Sequence, residues 1–369
     1  MVPLSAIVES NSRIASTFPK GLVAVFVGGT SGVGEYTVKA YAKYAPASSR
    51  AYIIGRSEDA ANRIIAECTR LNHTLKVEFI QADVSLIKAI DDVCRRIASK
   101  ESALNILVLS QGSMAFTATT SEGLPLGPTL TTHSRMRFIL NLQPLLQAAQ
   151  TEAQQPPLRR IVSVLAATYE GEIDTSNLAG VGLPLRTWRN QTSAMQSLLL
   201  YEMASHYNGS SKHGAAASGE MTNHTNISFM HVAPGVVKSG ITREAVPSWG
   251  ITIMTAVAWL LGPWVRVSPE ECGERHLFLA TSAAFPAGPV RDDHVPAGVS
   301  LGAGVEMARS VDGKVGGGGV YSVGARTEVA SAAVEELLAR YRQDGTASKV
   351  WEYVMADFRR ITGVEKAEL

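Results

Sequence analysis

The stretch that most constrains the fold is Val27-Gly28-Gly29-Thr30-Ser31-Gly32-Val33-Gly34. It follows an apolar run, residues 22–26, that reads as a buried strand, and it precedes residues 35–42, whose spacing is helical. In that setting glycines permit a tight turn and let backbone N–H groups approach a pyrophosphate, with the positive end of a helix facing the anion. The stretch predicts a dinucleotide site, with Gly28, Thr30, Ser31, Gly32, Val33 and Gly34 around the phosphates.

The rest of the chain continues the alternation. Apolar runs at 51–55, 76–84, 104–109, 159–165, 229–232 and 320–323 read as strands. Helical spacing appears at 58–72, about 85–100, 133–149, 191–206, 270–282, about 329–343 and about 347–361. Residues 113–132 read as a loop. Strands alternating with helices imply a Rossmann-type doubly wound parallel sheet, an α/β fold with ligand at the strands' carboxyl ends. An acid after the second strand would suit the 2′-hydroxyl of NAD. Arg56, with Ser57 beside it, suits the 2′-phosphate of NADP(H) instead. Asp83, followed by Val84, ends the third strand where it can accept a hydrogen bond from an adenine amino group. Ser110, Gln111 and Gly112 follow the fourth strand.

The expected organisation is an N-terminal arm (1–20), one dinucleotide-binding domain (21–328) and C-terminal helices (329–369). Residues 245–265 carry no charge and include Trp249, Trp259 and Trp264. That length nearly spans a bilayer, but Pro247, Gly250 and Gly262-Pro263 interrupt it. An apolar lid, about 240–268, is expected rather than a membrane contact. Residues 208–223 read as a small polar insertion. A formal net charge of +1 gives no case for nucleic acid. The three cysteines, Cys68, Cys94 and Cys272, match no metal pattern and suit a reducing, cytoplasmic setting as buried small side chains.

The order of these motifs resembles the short-chain dehydrogenase/reductase family. The family's Thr-Gly-x-x-x-Gly-x-Gly is matched at Gly28, Gly32 and Gly34, with Val27 at the Thr position. Its Asp after the third strand is Asp83, and its Asn-Asn-Ala-Gly is matched only in Gly112. The segment from Pro234, Gly235 and Val236 to Ser239 looks like the family's Pro-Gly motif, which places Ser239 at the nicotinamide end of the cofactor. More narrowly, Ser134-Arg135-Met136-Arg137-Phe138 and residues 269–275 resemble fungal members found in specialised-metabolite pathways. The resemblance implies a small-molecule substrate and a homo-oligomer of the kind the family often forms.

The family's reductases use Ser, Tyr, Lys and Asn, with Tyr-x-x-x-Lys as the signature. That signature is absent. No Lys occurs between Lys100 and Lys212, and Tyr169, Tyr201 and Tyr207 have none four residues on. Anchoring the helix on Leu198-Leu199-Leu200 puts Asn190 at the Tyr position and Ala194 at the Lys position. Ala166 falls at the Ser position and Thr131 near the Asn position.

Two readings follow. The enzyme reduces an apolar polycyclic or aromatic metabolite with NADP(H), and another group supplies the proton. Tyr169 leads the candidates, in the loop after the fifth strand, followed by His133, Glu170, Glu172 and Asp174. A missing acid removes only ~10²–10⁴ in rate, which an iminium or quinone substrate tolerates. Alternatively, the fold does non-redox work, as an isomerase, cyclase or dehydratase, with the cofactor structural or vestigial. Cofactor sensing without catalysis is a third reading.

Overall fold

The computed structural model describes residues 1–115, 118–150, 156–208, 227–241, 266–288, 296–315 and 318–369. Nearly all of the expected lid and the polar insertion lie outside them. Among the described residues, seven parallel strands form one sheet in the order β3-β2-β1-β4-β5-β6-β7. These are β1 (Val23–Val27), β2 (Arg50–Gly55), β3 (Lys76–Gln81), β4 (Ile106–Leu109), β5 (Arg160–Val164), β6 (Ser228–Val232) and β7 (Val320–Val323). The strand order reverses between β1 and β4, and such switch points open a crevice at the carboxyl ends.

The strands are continuous apolar runs because helices cover both faces. Val23, Val25 and Val27 face a core shared with α5 (Ile87–Ala98), α7 (Ser134–Ala148) and α8 (Leu185–Asn208). Ala24 and Phe26 face the opposite core, shared with α3 (Gly32–Tyr44), α4 (Glu58–Leu71) and the helix Pro269–Thr281. The alternation is the period of two expected of a strand.

The structure adds to four sequence expectations. The N-terminal arm, residues 1–20, contains two helices, α1 (Leu4–Ser12) and α2 (Ile14–Thr17). Ile7 and Ile14 are buried, and Asn11 Nδ2 donates to Glu274 Oε2 at 2.7 Å, so long-range packing holds what local spacing does not announce. The expected loop before α7 contains α6 (Leu126–Pro128) and a π-helical turn, Thr129–His133. Helix α8 begins at Leu185, not 191, and the loop after β5 is bonded to its second turn, where Gly171 N–H donates to Asn190 O and Asp174 N–H to Gln191 Oε1. The C-terminal helices are not an appendage, since Val350, Val354, Met355 and Phe358 belong to the core behind β1. All three cysteines are free and buried, as expected. No described helix is long and apolar enough to cross a membrane.

Candidate active site

A cavity of about 1240 Å³ opens along the carboxyl ends of the strands. One end is walled by Thr30, Ser31, Arg56, Ser57, Asp83 and Val84, the other by Ala166, Tyr169, Trp188, Arg189 and Asn190. The volume exceeds that of a typical single small-ligand pocket and accommodates a cofactor beside a substrate.

The glycine loop explains how the first end forms. Gly28 has φ +76°, and a Cβ there would lie 2.8 Å from Gln111 N, so only glycine lets β1 and β4 end this close together. A Cβ on Gly34 would sit 2.5 Å from Gly28 O, so glycine lets α3 start directly against the loop. These contacts leave the N-terminus of α3 at the cavity, where its unpaired N–H groups suit a pyrophosphate. Of the residues expected to hold the cofactor, Gly28, Thr30, Ser31, Val33, Arg56, Ser57, Asp83, Val84, Ser110, Gln111, Gly112, Pro234, Gly235, Val236 and Ser239 line the cavity. Gly32 and Gly34 do not; they act behind it. A Cβ on Gly32 would meet Ser239 Cβ at 2.6 Å, which brings the loop after β6 against the start of α3. Asp83 Oδ1 accepts from Ser85 N at 3.0 Å, leaving Oδ2 for a ligand. Ser57 also caps α4, accepting from Ala60 N at 3.3 Å. This lining fits a dinucleotide.

At the other end the positions that the family's tetrad would occupy do come together. Thr131, Ala166 and Asn190 line the cavity, whereas Ala194 is fully buried in α8. Thr131 Oγ1 donates to Gly127 O at 3.0 Å, so its hydroxyl is spent on the π-helical turn. Ala166 offers no side-chain donor. Its N–H donates to His231 Nε2 at 3.3 Å and its carbonyl accepts from Ser193 Oγ at 2.5 Å. Thr168 is held at φ +68°, a costly conformation for a β-branched residue, by donating its N–H to Ser322 Oγ at 2.9 Å.

Tyr169 emerges on the cavity wall, 49% exposed, with the Arg189 guanidinium 4.2 Å above its ring. His133 does not enter the cavity. Its Nε2 lies 3.0 Å from Asp357 Oδ2, and its ring packs edge-on against Tyr353 and Phe358. The turn before α7 points it at the C-terminal helix, which a linear sequence does not reveal. The weaker candidates divide similarly. The Glu172 carboxylate pairs with Arg340 at 2.8 Å, and Asp174 accepts from Ser176 N and Oγ. Glu170 lies in the cavity-lining loop, but its side chain is 0% exposed.

That carboxylate belongs to a sealed polar layer under the site. Ser163, His231 and Ser322 are neighbours across β5, β6 and β7. Ser197 and Ser322 hydroxyls donate to Glu170 Oε1 at 2.7 and 2.6 Å, and Ser197 Oγ is 2.8 Å from His231 Nδ1. Burial alone would raise the Glu170 pKa, but His231, Ser322 and Ser197 outweigh it and hold the carboxyl below its usual range. Arg135, 1% exposed, extends the layer to β4, donating to Leu109 O, Gln111 O and Ser163 Oγ. Burial pushes its guanidinium down to about 9, still cationic at neutral pH. Sequence reading missed this layer and Arg189; the one available signal was a cation adjacent to Asn190.

Known proteins are similar to this chain in sequence and in fold. The family model described as short chain dehydrogenase matches residues 22–124. An oxidoreductase of Emericella nidulans is 32% identical over 356 residues, covering 96% of this chain and 97% of that protein. The oxidoreductase andH of Emericella variicolor is 31% identical, covering 98% of each. A short-chain dehydrogenase/reductase of Stachybotrys chartarum is 28% identical, covering 91% of this chain and 92% of that protein. Among solved structures, the Pseudomonas aeruginosa RhlG/NADP active-site complex has the same fold. Its TM-score is 0.50 at 19% identity, over 73% of this chain and 93% of that one.

Proposed function

The chain belongs to the short-chain dehydrogenase family and is an oxidoreductase, and on that premise we propose that it is an NADP(H)-dependent reductase lacking the usual Ser-Tyr-Lys, with Tyr169 as the proton donor. Its substrate is an apolar, polycyclic or aromatic specialised metabolite with an activated carbonyl or quinone carbon. The observation that carries this reading is Tyr169 itself, a half-exposed tyrosine on the cavity wall with its ring under Arg189.

Bound NADPH would supply the hydride at the reacting carbon. Gly28, Ser31 and Asp83 would hold its phosphates and adenine, and Arg56 its 2′-phosphate. Tyr169 Oη gives its proton to the substrate oxygen and regains one from water, which its exposure permits. Ala166 and Val164 keep the wall beside the reacting carbon apolar, where a developing oxyanion is poorly solvated and a proton donor counts for more.

The test is to follow NADPH absorbance while the protein acts on aromatic ketones and quinones. Stoichiometric cofactor oxidation with reduced product is expected. Tyr169→Phe should lower kcat on an unactivated ketone by ~10²–10⁴ and leave NADPH affinity in place. Turnover that leaves both NADPH and the substrate's oxidation state unchanged would hand the site to the isomerase, cyclase or dehydratase reading.

A further inference from the structure

We propose that Asn190 binds the substrate oxygen through its side-chain N–H₂, and that Arg189 is the positioning residue that turns the amide to present it. The inference rests on the reductase reading for the identity of that oxygen, but its geometry stands independently of hydride transfer.

The orientation of the amide follows from hydrogen-bond chemistry. Arg189 Nε and Nη2 both donate to Asn190 Oδ1, at 3.1 and 3.0 Å. A guanidinium has five donors and no acceptor, so the atom facing it must be the oxygen. Nδ2 is thereby turned away from Arg189, on the side of Gly171, where an added Cβ would meet it at 3.3 Å. It has no hydrogen-bond partner among the described residues, on a residue that lines the cavity. A donor left without a protein partner on a cavity wall is a donor available to a ligand. The charged fork also polarises the amide, making its N–H groups better donors.

The backbone fixes where that donor stands. Gly171 N–H donates to Asn190 O at 3.1 Å, and a Cβ on Gly171 would lie 2.8 Å from Asn190 Cβ. The loop after β5 is therefore pressed against α8 at this residue, and a larger side chain at 171 would push it away. Arg189 is held on its other face by the Tyr169 ring at 4.2 Å. One guanidinium thus joins the proposed proton donor to the amide that would hold the same oxygen. Of the neighbouring positions considered for this role, Thr131 Oγ1 bonds Gly127 O, Ala166 has no donor side chain, and the Glu170 carboxylate is enclosed. In the reduction, Asn190 holds the substrate oxygen as negative charge develops there. Hydride joins the carbon, the Tyr169 proton joins the oxygen, and the carbonyl double bond becomes a C–H and an O–H.

The experiment uses the NADP⁺-loaded protein and two probes with one ring frame, 9,10-phenanthrenequinone and phenanthrene, titrated by fluorescence quenching. The wild-type protein is expected to bind the quinone about ten-fold more tightly than the hydrocarbon, the scale of one hydrogen bond to a site built to donate it. Asn190→Asp keeps the Arg189 partner and the side-chain shape but replaces the donor with an oxygen. It should abolish the quinone's advantage over phenanthrene; Asn190→Leu, which also lacks the donor, should abolish it likewise if the Asp variant does not fold. Arg189→Lys, which cannot grip Oδ1 with a fork, should reduce the advantage without removing it. Equal binding of the two probes by the wild type, or an advantage retained in both Asn190 variants, overturns the proposal. NADPH oxidation by the quinone is read separately. A wild type that discriminates the probes but transfers no hydride overturns the reductase reading and leaves the Asn190 assignment standing.

Discussion

Arg56 concentrates the cofactor question in one side chain. It is exposed at the end of β2, on the cavity wall, with Ser57 and Asp83 beside it. A guanidinium gains most from a dianionic 2′-phosphate and little from a hydroxyl. Arg56→Ala should therefore cut the preference for NADPH over NADH by about 10- to 100-fold, the worth of a charge-assisted hydrogen bond. Equal loss of affinity for both cofactors, measured by titration, would count against the phosphate role. Arg56 is legible in the sequence because a residue's place at a strand end is a local property. Arg189 is not legible in that way. Its work depends on Tyr169, which lies twenty residues earlier and reaches it only through a folded loop.

The helix Pro269–Thr281 shows how one element from late in the chain holds the helices near its start. Its Glu274 accepts from Asn11 and from Tyr44 Oη at 2.8 Å, joining α1 and α3. Two residues on, His276 is 3% exposed, with Nδ1 2.7 Å from Cys272 O and no partner at Nε2 among the described residues. Burial holds it neutral and lowers its pKa from 6.5 to about 4. The unfolded chain thus binds a proton that the folded one refuses. Its stabilising effect is complete above about pH 6.5 and is lost as pH falls toward about 4, by roughly 3 kcal/mol at 1.36 kcal/mol per unit. Thermal unfolding should show that loss, and His276→Gln, which keeps a donor for Cys272 O, should flatten the curve in that window. Glu170 acts in the same direction at lower pH, since its lowered pKa adds stability that disappears only once the carboxylate itself protonates. Sequence periodicity announced the helix, but which of its polar residues are enclosed depends on the helices laid over it.

Across the whole molecule, Arg137 of α7 ties the last segment to α7 and α5, the helices that cover one face of the sheet. It is fully buried, gripping Asp91 through Nε and Nη2 at 2.7 Å each, while Nη1 donates to Val364 O and Glu365 O. Asn141 Oδ1 accepts from Ala367 N at 2.8 Å a turn away. Removing one partner of a buried ion pair strands the other, at ~3–5 kcal/mol. Arg137→Met should lower the melting temperature in a single transition, with the C-terminal helices and the sheet losing structure together by far-UV and near-UV circular dichroism. An early, separate transition would mean that the helices fold as their own unit.

The sequence by itself determined the parallel α/β frame, the dinucleotide loop and the loss of Tyr-x-x-x-Lys. Each of these is written in short-range form: the period of apolar residues, glycines before a helix, and a lysine missing from a whole stretch. Tertiary structure decided which polar groups stand around the positions left without the tetrad. His133 was drawn to Asp357 and Glu170 was sealed beneath three strands, while Tyr169, Arg189 and Asn190 were gathered on the cavity wall. The destination of a polar side chain depends on partners far along the chain and on what excludes water from it, and neither has a period or a spacing.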